Sequence, residues 1–126
     1  MQIVYYQEGE KLMTMLTWIL QGLLAAIFVM ASLGKIFGST MHKDNFTKWR
    51  LPQWFRVVTG LVELAAALLL VVGYWMAELI LYGAWILVAV GLGGVITHLR
   101  AKDPLKAMLS IGIFGVVALI LALIVM

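Results

Sequence analysis

The chain has 126 residues, of which 64% are hydrophobic and only 12% charged, with a formal net charge of +3. Soluble domains run at about 45–50% apolar and about 25% charged, so this composition excludes an ordinary water-soluble globule and leaves enough apolar chain for four spans of about 20 residues each. The absence of cysteine excludes disulfides, thiol relays and thiolate metal sites, and two histidines without an acidic cluster leave no ligand set for a built-in metal or haem.

Residues 1–14 form a short polar and aromatic lead carrying Glu8, Glu10 and Lys11. It lacks the basic start of a secretory signal, and no small-residue cleavage site follows, so the first helix is expected to be retained. That helix is predicted over about Met15–Leu33 and meets no charge until Lys35, at an end from which a lysine can snorkel to the interface. Residues 34–54 make the one sizeable loop, broken at Gly38 and Ser39. Within it, Met41, Phe46, Trp49 and Trp54 are mixed with Lys43, Lys48 and Arg50, as in a short amphipathic segment lying at the headgroups. Pro52 suits the start of a fresh helix, since a first-turn proline forfeits no helical hydrogen bond.

The second span is predicted over about Phe55–Val72, with Tyr74 and Trp75 as an aromatic anchor beyond Gly73. The third runs over about Met76–Leu99, and the basic turn Arg100–Pro104 leads into the fourth, Leu105–Val125. The fold expected is therefore all-α: a single four-helix membrane domain over residues 15–126. Eight of the nine basic residues (Lys35, Lys43, Lys48, Arg50, Arg56, Arg100, Lys102 and Lys106) fall on the side of the two loops, and only Lys11 on the other. The positive-inside rule then places those loops in the cytoplasm and both termini outside, in a bacterial cytoplasmic membrane.

Glu63 is the one ionisable group that cannot be placed at a surface. A charge at the centre of a span costs roughly 2.5–3.5 kcal/mol on insertion scales, so a partner is required. Arg56, Thr59 and Gly60 precede it by seven, four and three residues and share its helical face. Lys35 and His98 close the first and third helices at the same end. Gly91, Gly94 and His98 form a small-residue track on which Gly60 could pack, bringing Glu63 toward His98. Two readings stand. The cluster is a structural ion pair of Glu63 with Lys35 or Arg56, or it is a polar site for a small ligand or proton built from Lys35, Glu63, His98, Arg56 and Trp54. His98 and Trp54 each have a plainer role as interfacial residues, and Trp49 likewise reads as an interface anchor. No catalytic residue is assigned, no metal is expected, and nothing suggests nucleic-acid binding.

The run from Phe46 through Trp49, Pro52, Trp54, Arg56 and Gly60 to Glu63 resembles the hallmark of the DoxX-like membrane proteins. Gly34-Lys35-Ile36-Phe37, Leu68-Leu69-Leu70, Thr97-His98-Leu99-Arg100 and Asp103 add to the resemblance, which covers about residues 16–125. It implies a four-helix membrane bundle marked by Lys35, Gly60, Glu63 and His98, and supplies no agreed catalytic set. Relatives include a membrane subunit of a thiosulfate:quinone oxidoreductase, a tether for secreted redox enzymes, and receptor-assembly chaperones.

Three functions follow as expectations. One is a redox-linked membrane subunit that holds a quinone headgroup near Glu63 and depends on a partner for electrons, rather than an enzyme on its own. A second is an assembly, chaperone or tethering module acting through helix contacts with a membrane-protein partner or a second copy. The third, a small proton-coupled exporter, fits less well, because the acid of the small multidrug resistance pattern lies in the first helix and Met15–Leu33 contains none.

Overall fold

The computed structural model describes residues 2–126, with side chains from residue 7 onward. Five helices follow in order: α1 (Gln2–Phe37), α2 (Thr40–Lys48), α3 (Gln53–Val72), α4 (Glu78–Arg100) and α5 (Leu105–Val125). All but α2 are long and apolar enough to cross a membrane. The three later spans begin and end within two residues of the expected limits. The first does not: the polar lead is the opening of α1, which starts at Gln2. Residues 7–14 contain good helix formers with Gly9 as the sole weak position, so nothing stops the helix at the membrane surface. At about 1.5 Å per residue, α1 is longer than the ~30 Å of hydrocarbon.

The interior is narrow. Leu24, Ala25 and Phe28 of α1, Ala66, Ala67 and Leu70 of α3, Ile80, Ala84 and Leu87 of α4, and Ala118, Leu121 and Ala122 of α5 form the buried core. Each set recurs at three and four residues, which is one stripe per helix. Large side chains such as Met30, Leu61, Leu68, Leu92, Ile113 and Leu123 stand outward, where hydrocarbon solvates them. Alanine and glycine inside let the backbones approach, the source of cohesion between helices in lipid. Packing is most extensive between α1 and α3 and between α4 and α5.

The glycines record these approaches. A Cβ on Gly91 would lie 2.8 Å from Gly115 Cα, and one on Gly83 2.9 Å from the Ala66 carbonyl. A Cβ on Gly60 would lie 3.1 Å from the Ser32 carbonyl and 3.0 Å from Lys35 Cβ. The expected meeting of Gly60 with the Gly91–Gly94 track therefore does not occur. Gly60 seats α3 on α1, while that track faces α5 through Gly115 and Ile111.

At the end bearing α2, three helices stop by the same device. Gly38, Arg50 and Lys102 adopt positive φ of 74°, 59° and 57°. Each is followed by an amide that reaches back to the helix: Ser39 to Gly34, Leu51 to Phe46 and Asp103 to His98. These are left-handed C-caps that satisfy the last carbonyls, and Pro52 and Pro104 beyond two of them prevent helix continuation. At the opposite end the Tyr74 hydroxyl donates to the Trp18 carbonyl at 2.8 Å, tying the α3–α4 turn to α1. Gly22 leaves room for that hydroxyl.

Candidate functional site

Lys35, at the end of α1, does not snorkel outward. Its ammonium donates to both carboxylate oxygens of Glu63, at 2.8 and 2.9 Å. Glu63 is 1% exposed, and Gly60 on the same face of α3 is what allows the Lys35 backbone close enough for a two-pronged contact. Of the two cations considered for Glu63, Lys35 is the partner. Arg56, buried as well, binds neutral acceptors: its Nε donates to Gln53 Oε1 at 2.8 Å and its Nη1 to the Lys35 carbonyl. That carbonyl lies in the last turn of α1, so the guanidinium closes a helix end and holds Lys35 in place.

His98 belongs to a different knot. Its Nδ1 lies 2.6 Å from Asp103 Oδ2. The left-handed cap at Lys102, with the Asp103 amide bonded to the His98 carbonyl, folds the aspartate back over the histidine. Trp49 Nε1 donates to the same oxygen at 2.9 Å, and Lys48 Nζ lies 2.8 Å from Oδ1. Arg100 donates to the Trp49 carbonyl, and the Trp49 and His98 rings pack edge to face at 5.1 Å. Trp49, expected as an interface anchor, is thus the joint between α2 and the α4–α5 turn. The gathering of Lys35, Glu63 and His98 into one cluster is replaced by two clusters, because Gly60 faces α1 and not α4. Trp54 joins neither; it is 66% exposed and packs against Phe55 at 5.9 Å.

Hydrogen bonds from Lys48, Trp49 and His98 to the ionised carboxylate hold Asp103 well below the usual carboxylate range. The His42 imidazole is pushed down, first by burial and then by the positive charges of Lys35 and Arg56. Among the described residues no three carboxylate, imidazole or thiol groups converge as a metal site requires.

Sequence reasoning missed three participants. Gln21 is fully buried and donates from Nε2 to the Leu70 carbonyl at 2.6 Å, joining α1 to the last turn of α3. It is the one amide in an apolar stretch, which was a usable signal. Asp103 stood out only through family resemblance, and its hub role follows from the cap geometry of a turn. His42, packed over Gly34, had no signal beyond its type.

Two outcomes follow. Lys35→Met leaves Glu63 buried without its cation and should cost about 3–5 kcal/mol in denaturant unfolding of the detergent-solubilised protein, with most of it recovered in Lys35→Met/Glu63→Leu. An unchanged single variant would show that the pair does not hold α1 to α3. For Asp103 the folded pKa is depressed, so the stability it contributes is complete above its ordinary range and is lost as pH falls below about 4. The drop in unfolding temperature between pH 6 and pH 3 should therefore be smaller in Asp103→Asn than in the native chain.

Comparison with curated proteins and with solved structures returned no match. Residues 19–125 match the family model of the DoxX-like family, covering all four spans from within α1 to the end of α5. With the bundle and its two polar knots in view, the chain belongs to the DoxX-like family of membrane proteins.

Proposed function

We propose that the protein is a membrane-embedded assembly module that docks a transmembrane helix of a partner membrane protein against α4. One observation carries this reading: Gly93, in the middle of α4, is exposed, and a Cβ there would meet nothing within 4 Å. The neighbouring glycines of α4 are consumed internally, Gly83 against α3 and Gly91 and Gly94 against α5. Ala89 and Thr97, four residues to either side of Gly93, continue the small-residue stripe, flanked by the exposed Leu92 and Ile96. Such a recess admits another helix backbone at close range, whereas lipid gains nothing from it. In this reading the α2 end, rich in basic residues, faces the cytoplasm.

A second reading keeps the polar centre as a ligand site. Lys35 spends two ammonium protons on Glu63 and retains 15% side-chain exposure, which leaves a donor for a quinone carbonyl. The protein would then be a redox-linked subunit that holds the quinone headgroup while a partner supplies electrons.

Affinity purification from native membranes tests the first reading. A stoichiometric membrane-protein partner should copurify with the native chain and be lost in Gly93→Leu, whose unfolding temperature should not fall, because the added side chain enters open space and leucine is the better helix former. Recovery of a bare monomer or a homodimer alone counts against it. For the second, titration with a ubiquinone or menaquinone analogue should give saturable binding that Glu63→Gln abolishes. Failure of the native chain to bind removes the quinone.

A further inference from the structure

The corner between α1 and α2 collects positive charge that no carboxylate answers. Gly34 and Gly38 lie one turn apart and provide its floor. A Cβ on Gly34 would sit 2.9 Å from His42 Cδ2, and one on Gly38 would sit 2.6 Å from Lys43 Cε and 3.2 and 3.4 Å from the two terminal nitrogens of Arg56. Lys43 and Arg56 therefore converge on the same glycine, with His42 beside them. Glu63, on the helix that carries Arg56, is held on both oxygens by Lys35. Among the described residues the ion pairs join Lys11 to Glu8, Lys35 to Glu63, and Lys48 and His98 to Asp103; Lys43 and Arg56 enter none, and Asp44 pairs with neither.

Arg56 is 7% exposed, an unusual degree of burial for a cation without a carboxylate. Its Nε and Nη1 are bonded to neutral oxygens, and its Nη2 has no acceptor in the described residues. The N-terminus of α2 opens at the same corner, where Ser39 caps the helix by accepting from the His42 amide. A planar guanidinium fork, a lysine and a helix N-terminus are the donor set that a phosphate oxyanion fits.

We propose that Arg56 and Lys43, over the Gly34–Gly38 floor, bind the phosphate group of an anionic phospholipid. The lipid source follows from position. The corner lies where α1 and α3 leave their apolar spans, and Phe37, Met41 and Trp54, adjacent to it in the chain, are 81%, 62% and 66% exposed. Acyl chains cover such residues; a free phosphate ion leaves them bare. Lipid binding here would brace α2 against the bundle at the end opposite to its Trp49 joint.

The test uses the full chain in detergent, with unfolding temperature followed against short-chain phosphatidylglycerol, phosphatidylcholine of the same chain length, and inorganic phosphate. Phosphatidylglycerol should stabilise saturably, and the other two should not. Lys43→Gln, which removes an exposed charge that packs no core, should weaken the apparent affinity about fivefold, as expected for one cation near the surface. Arg56→Lys keeps the charge, loses the fork and should weaken it too, whereas Lys106→Gln at the same end should bind as the native chain does. Equal stabilisation by phosphatidylcholine, or equal affinity in Lys43→Gln and Lys106→Gln, overturns the site. Saturable stabilisation by inorganic phosphate alone overturns the lipid as its ligand.

Discussion

A carboxylate carried several turns into hydrocarbon has to find its cation inside the protein, and in this chain that cation is Lys35. Much of the packing around α1 and α3 serves that meeting. Gly60 removes the side chain that would hold the two helices apart, and Arg56 binds the Lys35 carbonyl so that the end of α1 cannot swing away. The pair is not a cheap source of stability, since apolar residues of similar volume often do as well in a low-dielectric interior. What it contributes is register: only one sliding position of α1 along α3 sets the ammonium against both oxygens. Gln21 repeats the principle two-thirds of a span away, fixing the other end of the same helix pair through the Leu70 carbonyl.

The second polar knot solves a different problem. Asp103 sits outside the spans and could be solvated by water, yet its side chain is only 3% exposed and takes hydrogen bonds or charge from three residues. Its place is decided by backbone chemistry. A left-handed residue after α4 turns the chain back on itself, and the same cap after α2 points the Trp49 indole toward it. The α2 segment is thereby fastened to the far pair of helices, while its N-terminal end remains over α1 and α3. A short interfacial helix thus bridges the two halves of the bundle.

Helices surrounded by lipid cannot rely on exclusion of apolar surface from water, so close backbone contact carries their association. Gly83, Gly91, Gly94 and Gly60 are each spent on such contact within the chain. Gly93 is not, and its exposure on an outer face otherwise bearing Tyr82, Trp85, Leu92, Ile96 and Leu99 gives the surface of α4 a direction. Gly38 differs again, serving a positive φ and clearing space for two cations.

The number of spans, the limits of the later three within two residues, the sidedness of charge and the need for a partner at Glu63 were all legible in the sequence, because hydropathy and charge count act locally. Hydropathy marks residues 1–14 as a polar lead outside the first helix, but α1 starts at Gln2, because helix propensity carries through a stretch that hydropathy does not register. Glycine spacing showed that helices would pack closely but not which ones: Gly60 faces α1, and the Gly91 track faces α5. From that one choice it follows that Lys35, not His98, meets Glu63, and that His98 turns to Asp103. Periodicity places residues on a face of their own helix. Only the tertiary structure decides what that face meets, because the rotation of each helix is settled by its contacts with all its neighbours together.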